Sequence, residues 1–262
     1  MIKVLVNGAR GRMGQAVVKA VLDDEELKLV AAVDLTGGVD AAAMVGLAPC
    51  GVEVTTDLAA AIDAAAPEVM VDFTRPDVVF GNAVTALKKG VSPVIGTTGL
   101  TEDAKAEFER LAKEKGTPCF IAPNFAIGAV LMMLMAKQAA KYMPNVEIIE
   151  LHHDNKLDAP SGTAIQTAEM IREVRGEMAQ GHPDEKEKLP GARGAVLGGM
   201  HIHSVRLPGY VAHQEVIFGG LGQTLSIRHD SMDRASFMPG VVLACKKVRS
   251  LSGLVVGLDK LM

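Results

Sequence analysis

Through the first 125 residues, short apolar runs alternate with longer stretches of helical periodicity. Residues 2–6, 29–34, 69–73, 91–95 and 119–122 are apolar-rich and of strand length, the pattern of strands covered on both faces. Residues 13–22, 58–66, 76–89 and 102–115 carry apolar side chains at helical spacing, with solvated positions between them. Pro76 and the Thr101-Glu102-Asp103 start supply helix-opening chemistry, and Gly90 and Gly116 stand where helices end. Strands alternating with helices predict a doubly wound parallel sheet of Rossmann type.

The pattern changes after Asn124. Residues 127–143 form one apolar, methionine-rich helix, and 146–153 read as a strand. Further on, 200–207, 211–218 and 221–229 are strand-like runs broken by Pro208-Gly209 and Gly219-Gly220, which predicts a meander of antiparallel strands. Strands clustered in this way predict a second, α+β domain. Residues 231–247 are mostly helical in pattern, restarting at Pro239-Gly240. The polar stretch 176–193, with Asp184-Glu185-Lys186-Glu187-Lys188, reads as a solvated loop or linker.

Composition narrows the function classes. The 262 residues are 48% hydrophobic without an apolar run of membrane-spanning length, and residues 1–6 are too short for a signal-peptide core. Net charge is −4, there is no basic run, and only seven Phe and two Tyr are present. Neither phosphate tracking nor base stacking is supported, so nucleic acid is excluded as a partner. Cys50, Cys119 and Cys245 are scattered without metal-ligand spacing, which predicts a reducing, cytoplasmic setting.

Gly8-Ala9-Arg10-Gly11-Arg12-Met13-Gly14 lies between the first strand and the first helix. Glycines there permit a tight turn and close approach of a pyrophosphate to a helix N-terminus. The spacing is G-x-x-G-x-x-G rather than the commoner G-x-G-x-x-G. Asp34 ends the second strand twenty residues beyond Gly14, where an acid bonds the adenosine ribose hydroxyls; the plainer alternative is a strand-terminal turn cap. Leu35 offers no charge to a 2′-phosphate, although Arg10 and Arg12 are near in sequence. The cofactor expected is NADH or NADPH, leaning to NADH. Gly96-Thr97-Thr98-Gly99 follows another strand at the sheet edge where ligands bind.

The densest chemistry is Glu150-Leu151-His152-His153-Asp154-Asn155-Lys156-Leu157-Asp158-Ala159-Pro160-Ser161-Gly162-Thr163-Ala164. Two imidazoles and an ammonium precede a turn that opens a helix over 164–174, a setting for a small carboxylate-bearing substrate that must be protonated. Thr163 with Gln166 has the form of a capping box. Adjacent histidines on an extended backbone point to opposite faces, so His152 and His153 do not chelate one metal, and no metal site is expected. His201 and His203 share a strand face without a third ligand and read as structural.

This signature resembles that of the 4-hydroxy-tetrahydrodipicolinate reductase family, formerly dihydrodipicolinate reductase, and the resemblance runs through the whole chain. The glycine spacing matches that family too. The resemblance implies reduction of a cyclic dicarboxylate in the diaminopimelate route to lysine, with hydride from the nicotinamide and a proton from Lys156. It gives His152 an acid/base role, though an ordering role for the loop stays open, and it sets His153, Gly162 and Thr163 against the substrate. Gly96, Thr97, Thr98 and Ala122-Pro123-Asn124-Phe125 are implied at the nicotinamide end; Phe125 reads equally as a core aromatic. The implied domains are 1–125, completed by 231–262, for the dinucleotide and 126–230 for substrate and oligomerisation, with Val205-Arg206-Leu207-Pro208-Gly209 matching its strands. A homotetramer is implied.

Two other functions compete. Another two-domain Rossmann dehydrogenase is the nearest enzyme rival; one of semialdehyde type needs a nucleophilic cysteine, and Cys119 lies inside an apolar run. A non-catalytic NAD-binding sensor keeps the glycine loop and Asp34 but has no use for the cluster from His152 to Thr163.

Overall fold

The apolar runs of the first half become neighbouring strands of one sheet. The computed structural model describes residues 1–262, in which β1 (Ile2–Asn7), α1 (Arg12–Asp23), β2 (Leu27–Val33), α2 (Ala41–Met44), β3 (Val54–Thr55), α3 (Leu58–Ala65), β4 (Val69–Asp72), α4 (Val79–Lys88), β5 (Ser92–Ile95), α5 (Glu102–Lys115) and β6 (Cys119–Ile121) follow in order. Then come α6 (Ile127–Ala140), β7 (Asn145–His152), α7 (Gly162–Arg175), β8 (Ala195–Leu197), β9 (Met200–Arg206), β10 (Ala212–Gly220), β11 (Gln223–Ser231), α8 (Met238–Lys247) and β12 (Leu254–Val256). The chain divides into two compact units, Met1–Ala126 with Arg234–Met262, and Ile127–Asp233.

In the first unit, seven strands pair in the order β12-β6-β5-β4-β1-β2-β3, every pair parallel. The strands run outward from β1 to β3, and β4 then returns to the other side of β1. That reversal opens a crevice at the carboxyl ends of β1 and β4, where ligands bind in open α/β sheets. Leu5, Val33 and Met70 pack with Ile62 of α3, while Val79 and Leu87 of α4 meet Phe108 and Leu111 of α5 over Ile95. Phe108 is fully buried, so truncating it to alanine should cost about 3–5 kcal/mol. Helix α5 shows why these segments are helical: Thr101 caps Ala104 N, Glu102 and Asp103 lie in the first turn, and Gly116 at φ +62° ends it.

One helix start and two edge strands differ from expectation. Helix α4 starts at Val79, not Pro76, because residues 76–78 form a turn in which Val78 N and Val79 N both donate to the Arg75 carbonyl oxygen, at 3.2 and 3.1 Å. The edge strands β3 and β12 are short and carry too few residues for a periodic signal.

In the second unit the sheet order is β11-β10-β7-β9-β8. The meander expected over 200–229 is therefore only half formed. β10 and β11 make a hairpin, but β7 lies between β10 and β9, antiparallel to the first and parallel to the second. Val146 and Ile148 of β7, Ile202 of β9, and Val216 and Phe218 of β10 are buried; α6 packs on β10 and β11, and α7 on β7. Most apolar side chains of α6 are consumed within this unit: Met132 and Met133 are buried, whereas Met135 is exposed.

Candidate functional site

The glycine loop is shaped by contacts that only glycine tolerates. Gly8 has φ +79°, and a Cβ there would sit 2.7 Å from the Phe73 carbonyl oxygen; a Cβ on Gly14 would lie 1.9 Å from the oxygen of Gly8. The loop, β4's exit and α1 are thus packed backbone to backbone. Gly11 begins α1 without a side-chain cap, and no acid occupies the first turn, so the amides there retain their attraction for an anion. Ala9 is buried, Met13 is half-buried, and Arg10 and Arg12 are exposed.

Asp34 reaches across the sheet edge to this loop. Arg10 N donates to its Oδ2 at 2.7 Å and Leu35 N to its Oδ1 at 2.7 Å. A cavity of about 480 Å³ lies alongside, lined among others by Gly8, Arg10, Asp34, Leu35, Phe73 and Arg75. Its carboxylate and two guanidiniums suit a molecule with hydroxyls at one end and phosphates beside them, so the residues fit a dinucleotide.

Asp72, which sequence reasoning missed, organises the crevice floor. It is fully buried. Its Oδ1 accepts from Thr74 N at 3.0 Å, Thr74 Oγ1 at 2.7 Å and Thr97 Oγ1 at 2.9 Å, and its Oδ2 from Asn7 Nδ2 and Asn82 Nδ2, both at 2.9 Å. One carboxylate thereby fixes Thr97 and the Thr74 turn. Gly96 packs under the Phe73 ring, where a Cβ would lie 2.1 Å from Cε1. Thr98 and Pro123 are exposed, Ala122 is buried, and Asn124 Oδ1 accepts from Ala126 N at 2.8 Å. Phe125 is buried between Phe73 and Phe120, with ring centroids 5.7 and 6.1 Å away. Its ring is core.

In the second unit, His152 ends β7, and the loop after it brings Lys156 and Asp158 together at 2.7 Å. The ammonium holds the Asp158 carboxyl below its ordinary range. His153 is exposed and His152 half-buried. Ser161, not Thr163, caps α7: its side chain accepts from Ala164 N at 3.2 Å. The expected box of Thr163 with Gln166 is absent because Thr163 already lies inside the first turn, where its carbonyl accepts from Thr167 Oγ1 at 2.7 Å. Gly162 and Thr163 therefore open the helix, at its anion-attracting end.

Beneath His152 lies Glu150, fully buried. It meets His152 Nδ1 at 2.5 Å and accepts from Arg206 Nη1 at 2.8 Å, Arg206 Nη2 at 2.7 Å and Ser161 N at 3.2 Å. Burial pushes its carboxyl up, but hydrogen bonds from His152, Arg206 and Ser204 outweigh burial and bring it down to about 2. Neither Glu150 nor Arg206 carries a spacing signal, since their positions in the sequence are 56 residues apart.

The remaining candidates separate from the site. His201 Nδ1 meets the Arg193 carbonyl oxygen at 2.8 Å, and His203 Nε2 meets Glu147 Oε2 at 2.7 Å. Cys119 is buried, and burial pushes its thiol well above the range in which a thiolate forms. No helix is long and apolar enough to cross a membrane.

Comparison with known proteins agrees along the whole chain. The family model described as dihydrodipicolinate reductase, N-terminus, matches residues 2–125, and that described as dihydrodipicolinate reductase, C-terminus, matches residues 128–262. The 4-hydroxy-tetrahydrodipicolinate reductase of Desulfitobacterium hafniense (strain DSM 10664 / DCB-2) is 54% identical over 263 residues, covering 100% of this chain and 98% of that protein. The protein of that name from Syntrophomonas wolfei subsp. wolfei (strain DSM 2245B / Goettingen) is 55% identical over 261 residues, covering 99% and 98%. A solved structure of dipicolinate-bound dihydrodipicolinate reductase from Paenisporosarcina sp. TG-14 superposes with a TM-score of 0.90 at 48% identity, covering 100% of both chains. Matched by an N-terminal and a C-terminal family model and by relatives of its own length, the chain belongs to the dihydrodipicolinate reductase family.

Proposed function

We propose that this chain reduces 4-hydroxy-tetrahydrodipicolinate to tetrahydrodipicolinate with NADH or NADPH, in the diaminopimelate route to lysine. Family membership supports the reaction. The observation that carries the chemistry is the convergence of His152, His153, Lys156 and the Gly162-Thr163 helix start on one short segment.

A bound reduced nicotinamide supplies the hydride. The protein must hold the dicarboxylate and deliver a proton to the ring carbon beside the one reduced. Gly162 and Thr163 would hold one carboxylate at the α7 N-terminus, worth about 1 kcal/mol from the helix dipole, with His153 beside it. Lys156 is the proton donor, and its positive charge opposes electron density on the conjugated ring. Its pairing with exposed Asp158 is readily exchanged for a ligand carboxylate, since such surface pairs contribute only about 0–1 kcal/mol. His152 is the second acid/base group.

The first unit, with its glycine loop from Gly8 to Gly14 and Asp34, is the dinucleotide domain. Thr97, Thr98 and the 122–125 segment serve the nicotinamide end, Phe125 by supporting its backbone from the core. The ribose partner Asp34, followed by uncharged Leu35, favours NADH, and Arg10 leaves NADPH acceptable. The second unit holds the substrate and associates into a homotetramer, and the enzyme works in the cytoplasm.

The test is oxidation of NADH and of NADPH by the purified protein, with and without the condensation product of pyruvate and aspartate semialdehyde. Consumption is expected only with that product. No consumption of either cofactor would overturn the reading.

A further inference from the structure

We propose that Glu150 is the positioning residue of His152: it holds the proton of the neutral ring on Nδ1 and leaves Nε2 to exchange protons with the ligand, while Arg206 locks Glu150 in place. The inference rests on the acid/base reading of His152 above.

The geometry begins with strand alternation. Residues 146, 148, 150 and 152 share one face of β7, and on that face Val146 and Ile148 are packed core. Glu150 continues the same row, fully buried, where an unpaired carboxylate is very unfavourable. It is compensated from three directions. His152 lies two residues along the strand, Arg206 comes from β9, where it is the register partner of His152, and Ser161 N comes from the cap of α7. Arg206 Nη2 also donates to the Asp158 carbonyl oxygen at 2.8 Å. The carboxylate therefore joins the histidine to the Lys156–Asp158 loop and to the start of the carboxylate-binding helix.

The proton's place follows from the partners. An ionised carboxylate only accepts, so the imidazole nitrogen facing it must carry hydrogen. Arg206 meets both carboxylate oxygens, which keeps Glu150 from rotating or taking up the proton itself. Nε2 has no hydrogen-bond partner in the protein, and the side chain is 15% exposed. Only that nitrogen is left to meet a ligand.

A purely structural role explains the array poorly. Buried ion pairs replaced by apolar residues of similar size are often neutral or even more stable, so fixing β7 against β9 does not call for charge. A defined tautomer does.

The test is nitrogen NMR of protein labelled with ¹⁵N-histidine, with His152 assigned by difference from His152→Gln, together with turnover of Glu150→Gln, His152→Gln and the double variant. In the parent protein, the neutral His152 ring should show hydrogen on Nδ1; hydrogen on Nε2 would overturn the proposal without any variant needing to fold. In Glu150→Gln, Arg206 claims the amide oxygen and the amide nitrogen faces the ring, so the proton should move to Nε2. Turnover should then fall roughly a hundredfold, with KM for NADH unchanged and no further loss in the double variant. An unaltered tautomer in Glu150→Gln, or a double variant that multiplies the two losses, overturns the positioning role while the reading of His152 stands. Parent-like turnover of His152→Gln removes that reading itself, and the proposal with it.

Discussion

Asn7 and Asp72 face each other as register partners at the carboxyl ends of β1 and β4, and the Asn7 side chain donates to Asp72 Oδ2 at 2.9 Å. These are the two strands at which the sheet order reverses. Asn7 lines the cavity at that crevice, and the fully buried Asp72 lies behind it. Every hydrogen bond to the Asp72 side chain comes from a neutral donor on Asn7, Thr74, Asn82 or Thr97.

Replacing Asp72 with asparagine tests that arrangement. One of its two oxygens becomes an NH₂ group facing donors, so at least two hydrogen bonds are lost inside the protein. Stability should drop by about 2–3 kcal/mol, which corresponds to roughly 5–10 °C in Tm for a chain of this size. Calorimetry reads the first effect. Cofactor titration should show roughly tenfold weaker NADH binding as Thr97 and the Thr74 turn loosen. A variant matching the parent in both would show that Asp72 organises nothing.

The sheet of the first unit is legible in the sequence because strands buried on both faces need apolar runs, and residues 4–6 and 69–71 supply them. The place of β7 is not. Choosing β9 or β10 as a neighbour depends on contacts across more than 50 residues, whereas the β10–β11 hairpin is announced by the local Gly219-Gly220-Leu221-Gly222 turn. The same division runs through the site. His152, Lys156, Gly162 and Thr163 form a local signature, but Asp72, Glu150 and Arg206 owe their importance to burial and to partners distant in sequence. The family boundary at residues 125–128 is likewise a boundary along the sequence, while contacts join Arg234–Met262 to the first unit.

Asp34→Ala should weaken NADH binding more than NADPH binding. The carboxylate anchors Arg10 N and Leu35 N and is the proposed partner of the ribose hydroxyls. Removing it also relieves repulsion of a 2′-phosphate beside Arg10. Titration of both cofactors checks this; equal losses for the two would contradict the ribose assignment.

Assembly has a separate test. In the single chain, the sheet face opposite α6 and α7 mixes Ile149 and Ile217 with Glu147, Glu215 and Arg228 at intermediate or greater exposure. If this face closes a homotetramer, light scattering at micromolar concentration should give about four times the chain mass of 27.5 kDa. A monomer mass would remove the assembly.

Glu150 should leave a mark on acid stability. Its carboxyl is lowered from 4.5 to about 2 in the folded protein, so its contribution is fully present above the ordinary carboxylate range. That contribution is lost as pH falls from about 4.5 through about 2, and amounts to about 3 kcal/mol. Denaturant unfolding followed from pH 6 to about pH 2 should therefore fall less steeply for Glu150→Gln than for the parent. Parallel curves would mean that the carboxylate is not held ionised by His152 and Arg206.

Lys156→Ala removes the proposed proton donor and leaves the glycine loop and Asp34 intact. Turnover should fall by roughly two to four orders of magnitude, the span of a general acid, while NADH affinity stays near that of the parent. The ligand carries two carboxylates, so loss of the ammonium should also weaken binding of planar pyridine-2,6-dicarboxylate, measured as competition with substrate. Asp158 provides the control. It pairs with Lys156 at 2.7 Å but is absent from the proposed chemistry, so Asp158→Asn should keep turnover within about tenfold of the parent. Near-parent turnover in Lys156→Ala would transfer the proton to His152, the other acid on the segment. A large loss in Asp158→Asn with little change in Lys156→Ala would instead place the demand on the loop's shape rather than on its ammonium.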